Sequence, residues 1–195
     1  GTFFGEAWSI LEYSNESIRG TSDLDAGRSG LDKQYAFQYS NGVFEPLTLF
    51  FPYILGGSSQ ESLDKNSNLG KALRKNNIAT NQINSQLRRV PTYWGDQPLT
   101  APYYAGVICI FLMIFGFIIL KAHEKNWLIY LLVTSVVLSM GSNLETINNL
   151  FFDYLPGYNK FRSVTFIIII SIFSVVLISC LALQKFIEEP KKYKY

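Results

Sequence analysis

One histidine, His123, and two cysteines, Cys109 and Cys180, are the only soft metal ligands the chain offers apart from methionine. A zinc site built on such ligands needs three or four of them at short spacings, so no metal and no cofactor are expected. A Ser/His/Asp hydrolytic set is excluded as well, because His123 lies in the short basic loop Lys121–Asn126 between two apolar runs. Both cysteines fall inside hydrophobic runs, where a thiol behaves as a small apolar side chain. Glycine-rich nucleotide loops and internal repeats are also missing. Charge is scarce, at 16% of 195 residues with a net of +2, and the basic residues of the polar half form nothing larger than Arg74/Lys75 and Arg88/Arg89. Nucleic-acid binding asks for a concentrated basic face, so no nucleic-acid partner is expected.

What the sequence does have is three runs free of Asp, Glu, Lys and Arg: Gln97–Leu120, Asn126–Leu144 and Ser163–Gln184. All nine Lys and Arg residues of the first 96 positions lie ahead of them. Val164–Leu183 alone is twenty residues without a charge, about 30 Å as a helix and so a match for a bilayer core. Its isoleucines would suit a buried strand, but twenty residues is too long for one. The first run becomes strongly apolar at Ala105, behind Pro102, Tyr103 and Tyr104 as an interfacial anchor, and Gly106 and Gly116 could permit close helix contact. The second run is shorter, carries Thr134, Ser135 and Ser139, and is expected to face other helices. The expected fold class is therefore mainly α, a polytopic membrane protein with transmembrane helices at about 103–120, 126–144 and 163–184. Lys121 and Lys125 in the short loop, and Lys185, Lys191, Lys192 and Lys194 in the tail 189–195 and just before it, are placed in the cytoplasm by the positive-inside rule. Three crossings then put residues 1–100 and the loop Gly141–Arg162 together on the outer side of the bilayer.

Within the polar half, Ala36–Gly57 holds an apolar core, Leu47–Leu55, that is too short to span and is interrupted by Pro52. Two readings stand for residues 44–57: a re-entrant or interfacial element, or an ordinary core segment of an external subdomain. From 58 to 88 the composition turns to Ser, Asn, Gln and Lys, and a flexible stretch is expected with one short helix near Leu69–Asn76. The opening Gly1–Gly20 lacks a basic stretch followed by an apolar core and is not read as a signal peptide. A polar segment on the outer side needs something upstream to carry it there, so a fragment of a larger polytopic protein is expected.

The candidate chemistry is a set of outer-face carboxylates (Glu6, Glu12, Glu16, Asp23, Asp25, Asp96, Asp153) with aromatics and a few bases. The most suggestive group is Tyr158, Asn159, Lys160 and Arg162 at the mouth of the third run, where Lys160 and Arg162 run against the positive-inside rule. A helix N-terminus there favours anions, so a phosphate fits; the alternative is that both bases reach for lipid headgroups. Asp96, beside Trp94 in Tyr93-Trp94-Gly95-Asp96, is either a general base or sugar contact or a turn-forming acid.

Four stretches together resemble the bacterial YfhO-like membrane proteins. They are Tyr13-Ser14 with Ser17-Ile18-Arg19-Gly20, Pro52 followed by Gly56-Gly57-Ser58, Tyr93-Trp94-Gly95-Asp96-Gln97-Pro98 approaching a span, and Pro156-Gly157-Tyr158-Asn159-Lys160-Phe161-Arg162 opening another. The resemblance covers nearly the whole chain. It implies a many-helix protein similar to the C-type glycosyltransferases, which take a sugar from a polyprenyl-phosphate carrier on the outer face and pass it to an acceptor such as an envelope polymer. The general base of such enzymes lies in the first external loop of the full protein, and no position here matches it. This chain would then contribute binding of substrate and membrane lipid carrier, with Lys160 and Arg162 toward the phosphate. The other class of function consistent with the residues is a non-catalytic membrane component that binds a partner or envelope polymer through its external segment. A transporter is disfavoured because the three runs hold no ionisable residue in mid-membrane.

Overall fold

The computed structural model describes residues 8–9, 12–13, 31–97, 102–155, 158–160 and 162–189. The carboxylates Glu6, Glu16, Asp23 and Asp25, the motif at 14–20, Pro98, Pro156, Gly157, Phe161 and the basic tail beyond Glu189 lie outside them. The fold is mainly helical: the described residues hold no strand, only isolated antiparallel bridges pairing Gly56 with Tyr93 and Ser62 with Pro91. In chain order come α1 (Lys33–Ala36), α2 (Asn68–Lys75), α3 (Thr80–Leu87), α4 (Val107–Ile119), α5 (Ala122–Ser139), α6 (Glu145–Tyr154) and α7 (Ile168–Glu188). The chain divides into two compact units, Gly1–Ser40 with Val137–Phe166 and Asn41–Val136 with Ile167–Tyr195.

In the second unit α4 packs on α7 around a core of Leu49, Met113, Leu120, Leu128, Val175 and Ile178. Gly116 makes this packing close. A Cβ there would stand 2.9 Å from Ile178 Cγ2 and 3.1 Å from the Ala182 Cβ, so a larger side chain would push the helices apart. Gly106 serves differently from the expected helix contact: nothing lies near its missing Cβ, and its φ of 92° turns the chain into α4. Serines join the helices inside. Ser135 and Ser171 hydroxyls meet at 2.6 Å, and Ser179 Oγ donates across to the Cys109 carbonyl at 2.6 Å. Ser171, Ser174 and Ser179 are buried while Ile169, Phe173 and Ile187 on the same helix α7 are exposed. On α4, Val107, Ile108, Phe111 and Ile118 are exposed too. Large apolar side chains thus cover the outward faces of both helices, where a water-borne helix pair is normally polar.

Of the three spans expected, the third is carried by a helix long and apolar enough to cross a membrane. It runs over 25 residues, Val164–Glu188, once the 3₁₀ turn Val164–Ile167 is counted with α7. The first run is helical for thirteen residues, Val107–Ile119, about 20 Å against the 30 Å of a hydrocarbon core. The second is helical as α5 for eighteen residues, to Ser139, but with Glu124 and Lys125 in its first turns it is apolar enough to cross only when counted together with Gly141–Tyr154 beyond a break. Gly141, at φ 44°, forms that break, and a Cβ on it would collide with Ser40 Oγ. At the start of α5 Glu124 accepts from the Lys121 amide and pairs with Lys185 of α7 at 3.1 Å, closing the polar ends of the two helices.

The polar insertion of the second unit is better structured than its composition suggests. Backbone bonds from Trp94 N–H to Leu55, Gly57 N–H to Thr92, Thr92 N–H to Glu61 and Leu63 N–H to Val90 clasp residues 55–63 against 90–94. Between the two arms lie α2, where one helix was expected, and a second helix, α3. Ser67 caps α2 by accepting the Gly70 amide at 3.1 Å, Asn77 ends it at φ 58°, and α3 buries Ile83 and Leu87.

Candidate anion-binding site

The first unit is built around the loop that the sequence singles out. Asp32 caps α1, its carboxylate accepting the Gln34 and Tyr35 amides at 2.8 and 3.2 Å. This short helix is tied to the loop at both ends: the Leu31 N–H donates to the Asn159 carbonyl at 2.9 Å, and the Ser163 N–H to the Ala36 carbonyl at 3.3 Å. Ser163 has a left-handed φ of 68°, uncommon for a residue with a Cβ. Arg162 is thereby held beside α1.

Tyr35 in α1 and Tyr39 in the bend just beyond it present ring faces to the Arg162 guanidinium, whose carbon lies 4.5 and 5.2 Å from their centroids. Gln38 Oε1 accepts from its Nη2 at 2.9 Å. An exposed arginine normally loses much of its binding energy to the entropy of its own side chain. Here the aromatic faces and the amide fix the fork in advance, while the guanidinium carries five N–H donors in all. Among the described residues no carboxylate pairs with it. A planar, pre-oriented cation with donors to spare is suited to a bidentate phosphate or carboxylate.

Tyr158 and Asn159 are structural. Tyr158 is buried, its hydroxyl donating to Asn148 Oδ1 at 2.8 Å and lying 3.3 Å from the Leu138 carbonyl, and burial pushes its phenol up to about 12. The Asn148 amide in turn donates to the Val137 and Leu144 carbonyls, both at 3.2 Å. Phe152 stacks edge-on to both Tyr158 and Phe37, so the loop rests on an aromatic and amide layer. Lys160 closes the 3₁₀ turn Tyr158–Lys160 and is partly exposed. An open cleft of about 370 Å³ in the same unit is lined by Lys33, Gln34, Phe37, Ser142, Glu145 and Asn149, within the size range of small-molecule sites. Lys33 also pairs with Asp153 at 2.9 Å, which gives that acid a structural bond.

Trp94 and Asp96 belong to the second unit and so to a separate cluster. Both are exposed, and Trp94 is fixed through its backbone N–H to the Leu55 carbonyl. The organised acid of that cluster is Glu45, which the sequence reading passed over. Only 2% exposed, its carboxylate accepts from the Gly42 amide, the Gln97 amide at 2.9 Å and the Tyr93 hydroxyl. Burial first, and then the Glu45 carboxylate, push the Tyr93 phenol far above its ordinary value. Gly95 is required beside it, since a Cβ would strike both the Tyr93 hydroxyl and Glu45 Oε1.

No family model, no characterised protein and no solved structure matches the chain. What the two clusters can bind is therefore set by their geometry. The Glu45 cluster is closed on itself and serves the fold; the Arg162 cluster is open. Tyr35, Gln38 and Tyr39 were missed in the sequence because Gln38 and Arg162 stand 124 residues apart. The available signal was two tyrosines and a glutamine within five residues, which has no meaning until a cation arrives beside them.

Proposed function

We propose that this chain is the carrier-binding part of a bacterial inner-membrane protein of YfhO-like type, in which an external site holds the phosphate of a polyprenyl-phosphate sugar. The observation that carries the proposal is the exposed Arg162 guanidinium, held against two tyrosine faces and hydrogen-bonded to Gln38. It stands two residues before Val164, where the membrane-length apolar stretch begins. A span beginning there would put Arg162 near the depth of a lipid phosphate, where a fixed guanidinium would stabilise a departing phosphate. The cleft lined by Lys33, Gln34, Phe37, Ser142, Glu145 and Asn149 offers amide, hydroxyl and charged groups suited to sugar hydroxyls. In this reading α7 crosses the bilayer, α5 and α6 form a broken second element, and α4 enters from the aromatic segment at Tyr103 and Tyr104. The buried serines and exposed isoleucines and phenylalanines of α7 support lipid as the surrounding medium.

The test is binding of a polyprenyl phosphate to the purified chain in lipid nanodiscs. Loss of binding in the Lys160→Ala, Arg162→Ala double variant is expected, and unchanged binding rejects the site. Arg162→Lys should recover only part of the loss, because an ammonium keeps the charge without the planar fork. A second reading, a non-catalytic component that binds an envelope polymer, is favoured by the structural roles of Asp153 and Glu45. Binding of polymer fragments with no dependence on Arg162 would select it.

A further inference from the structure

We infer that Val43–Ile54 is an interfacial element seated in the boundary between the lipid headgroups and the acyl chains. From Phe44 to Ile54 the backbone forms consecutive turns: the Leu47 N–H donates to the Phe44 carbonyl, Phe50 and Phe51 N–H to the Leu47 carbonyl, and Ile54 N–H to the Phe51 carbonyl. Phe44, Leu47, Phe51 and Ile54 are the residues that the bonds from 47 to 44, 51 to 47 and 54 to 51 link in succession. All four are exposed, and so are Val43 and Tyr53. The intervening Glu45, Pro46, Thr48 and Leu49 are buried. Hence the segment is amphipathic, with its apolar side outward.

Three observations say what covers that side. The sole Asp, Glu, Lys, Arg or His between Val43 and Ile54 is Glu45, and its carboxylate is turned inward onto Tyr93, Gln97 and Gly42, so the outward side carries no charge. The buried side is joined to the start of α4, where the Ala105 N–H donates to the Leu49 carbonyl at 3.1 Å, and Leu49 and Phe50 belong to the same core as Val175 and Ile178 of α7. The exposed loop is therefore anchored on the very helices whose own outward surfaces are isoleucine and phenylalanine. Finally, exposed Tyr53 and Trp94 carry the amphipathic rings that favour the headgroup level. A short amphipathic coil with aromatic residues and no charge on its apolar side lies in the interface plane rather than across it.

The inference rests on lipid surrounding α4 and α7, so the test separates the two. In the full chain with Cys109 and Cys180 replaced by alanine, single cysteines at Phe51→Cys and Ile54→Cys are labelled with an environment-sensitive fluorophore. Ile169→Cys reports on α7 and Gln60→Cys on the exposed polar stretch. The variants are reconstituted into phosphatidylcholine/phosphatidylglycerol vesicles containing chain-brominated lipid. Labels at 51, 54 and 169 should lose most of their emission relative to vesicles without bromine, and the label at 60 should lose none. If 51 and 54 behave like 60 while 169 is quenched, the interfacial element is overturned and the membrane reading stands. If 169 is also unquenched, both fall. If the signal at 51 and 54 responds to protein-to-lipid ratio instead of bromine, a second copy of the chain covers the segment and the inference is again overturned.

Discussion

Glu45 and Arg162 are both charges held without an opposite charge among the described residues, and the two units hold them in opposite ways. Glu45 is an anion taken out of water, stabilised by two backbone N–H groups and a tyrosine hydroxyl. Arg162 is a cation left in contact with solvent, restrained by two aromatic faces and one amide oxygen. A buried charge needs all its hydrogen-bonding capacity filled, because each omission costs the full desolvation of the group. An exposed charge can leave capacity unfilled because water fills it, and that capacity is what a ligand can take. The difference between a structural charge and a binding charge lies in the environment, since both begin as single ionisable residues in largely apolar surroundings.

Removing the two charges should separate the clusters most widely. Glu45→Ala orphans three donors, and at about 1–3 kcal/mol for each buried unsatisfied group the loss should reach roughly 3 kcal/mol or more. A fall in the thermal unfolding midpoint of the detergent-solubilised chain would register it, and an unshifted midpoint would make Glu45 dispensable. Tyr93→Phe removes one donor and leaves the carboxylate two amides, so a smaller loss of about 1–3 kcal/mol is expected in the same measurement.

Alkaline titration probes the phenols of both units. Tyr158 is raised from its ordinary 10.0 to about 12, which means the folded state holds its proton more tightly than the unfolded chain does. Its contribution to stability is therefore complete below pH 10 and lost as pH rises from about 10 toward 12. Tyr158→Phe should flatten that part of the stability profile, and a profile unchanged by the substitution would contradict the buried hydroxyl. The smallest effect on stability is expected for Arg162→Ala, at about 0.5–1 kcal/mol for cation–π contacts at an exposed site. If Arg162 holds the carrier phosphate as proposed, polyprenyl-phosphate binding should nevertheless fall sharply. A variant that lost several degrees of midpoint but kept its ligand would reverse the comparison and make Arg162 a structural residue.

How much of this was legible in the sequence differs from residue to residue. Lys160 and Arg162 stood out because two bases ahead of an apolar run contradicted the orientation of the other basic loops. Nothing local could announce Tyr35, Gln38 and Tyr39 as the partners of Arg162, since their meaning depends on a contact closed across 124 residues. Glu45 was absorbed into an apolar element, although a lone carboxylate within such a stretch is itself a sign of inward hydrogen bonding. Tyr158 and Asn159 were grouped with the bases by proximity, whereas the structure uses the Tyr158 hydroxyl and the Asn159 carbonyl to hold the loop. The helix α3 came from tertiary support: a polar segment with little propensity is ordered by burying Ile83 and Leu87.

The sequence by itself determined that the C-terminal half is helical and apolar, because residue composition and the length of uncharged runs are local properties that no packing can remove. The tertiary structure alone decided which serines are enclosed, where the helices break, that Glu45 faces inward and that Arg162 is clamped beneath open solvent. Those outcomes depend on which distant groups meet, and a buried or restrained charge is stabilised by partners that the chain order does not bring together.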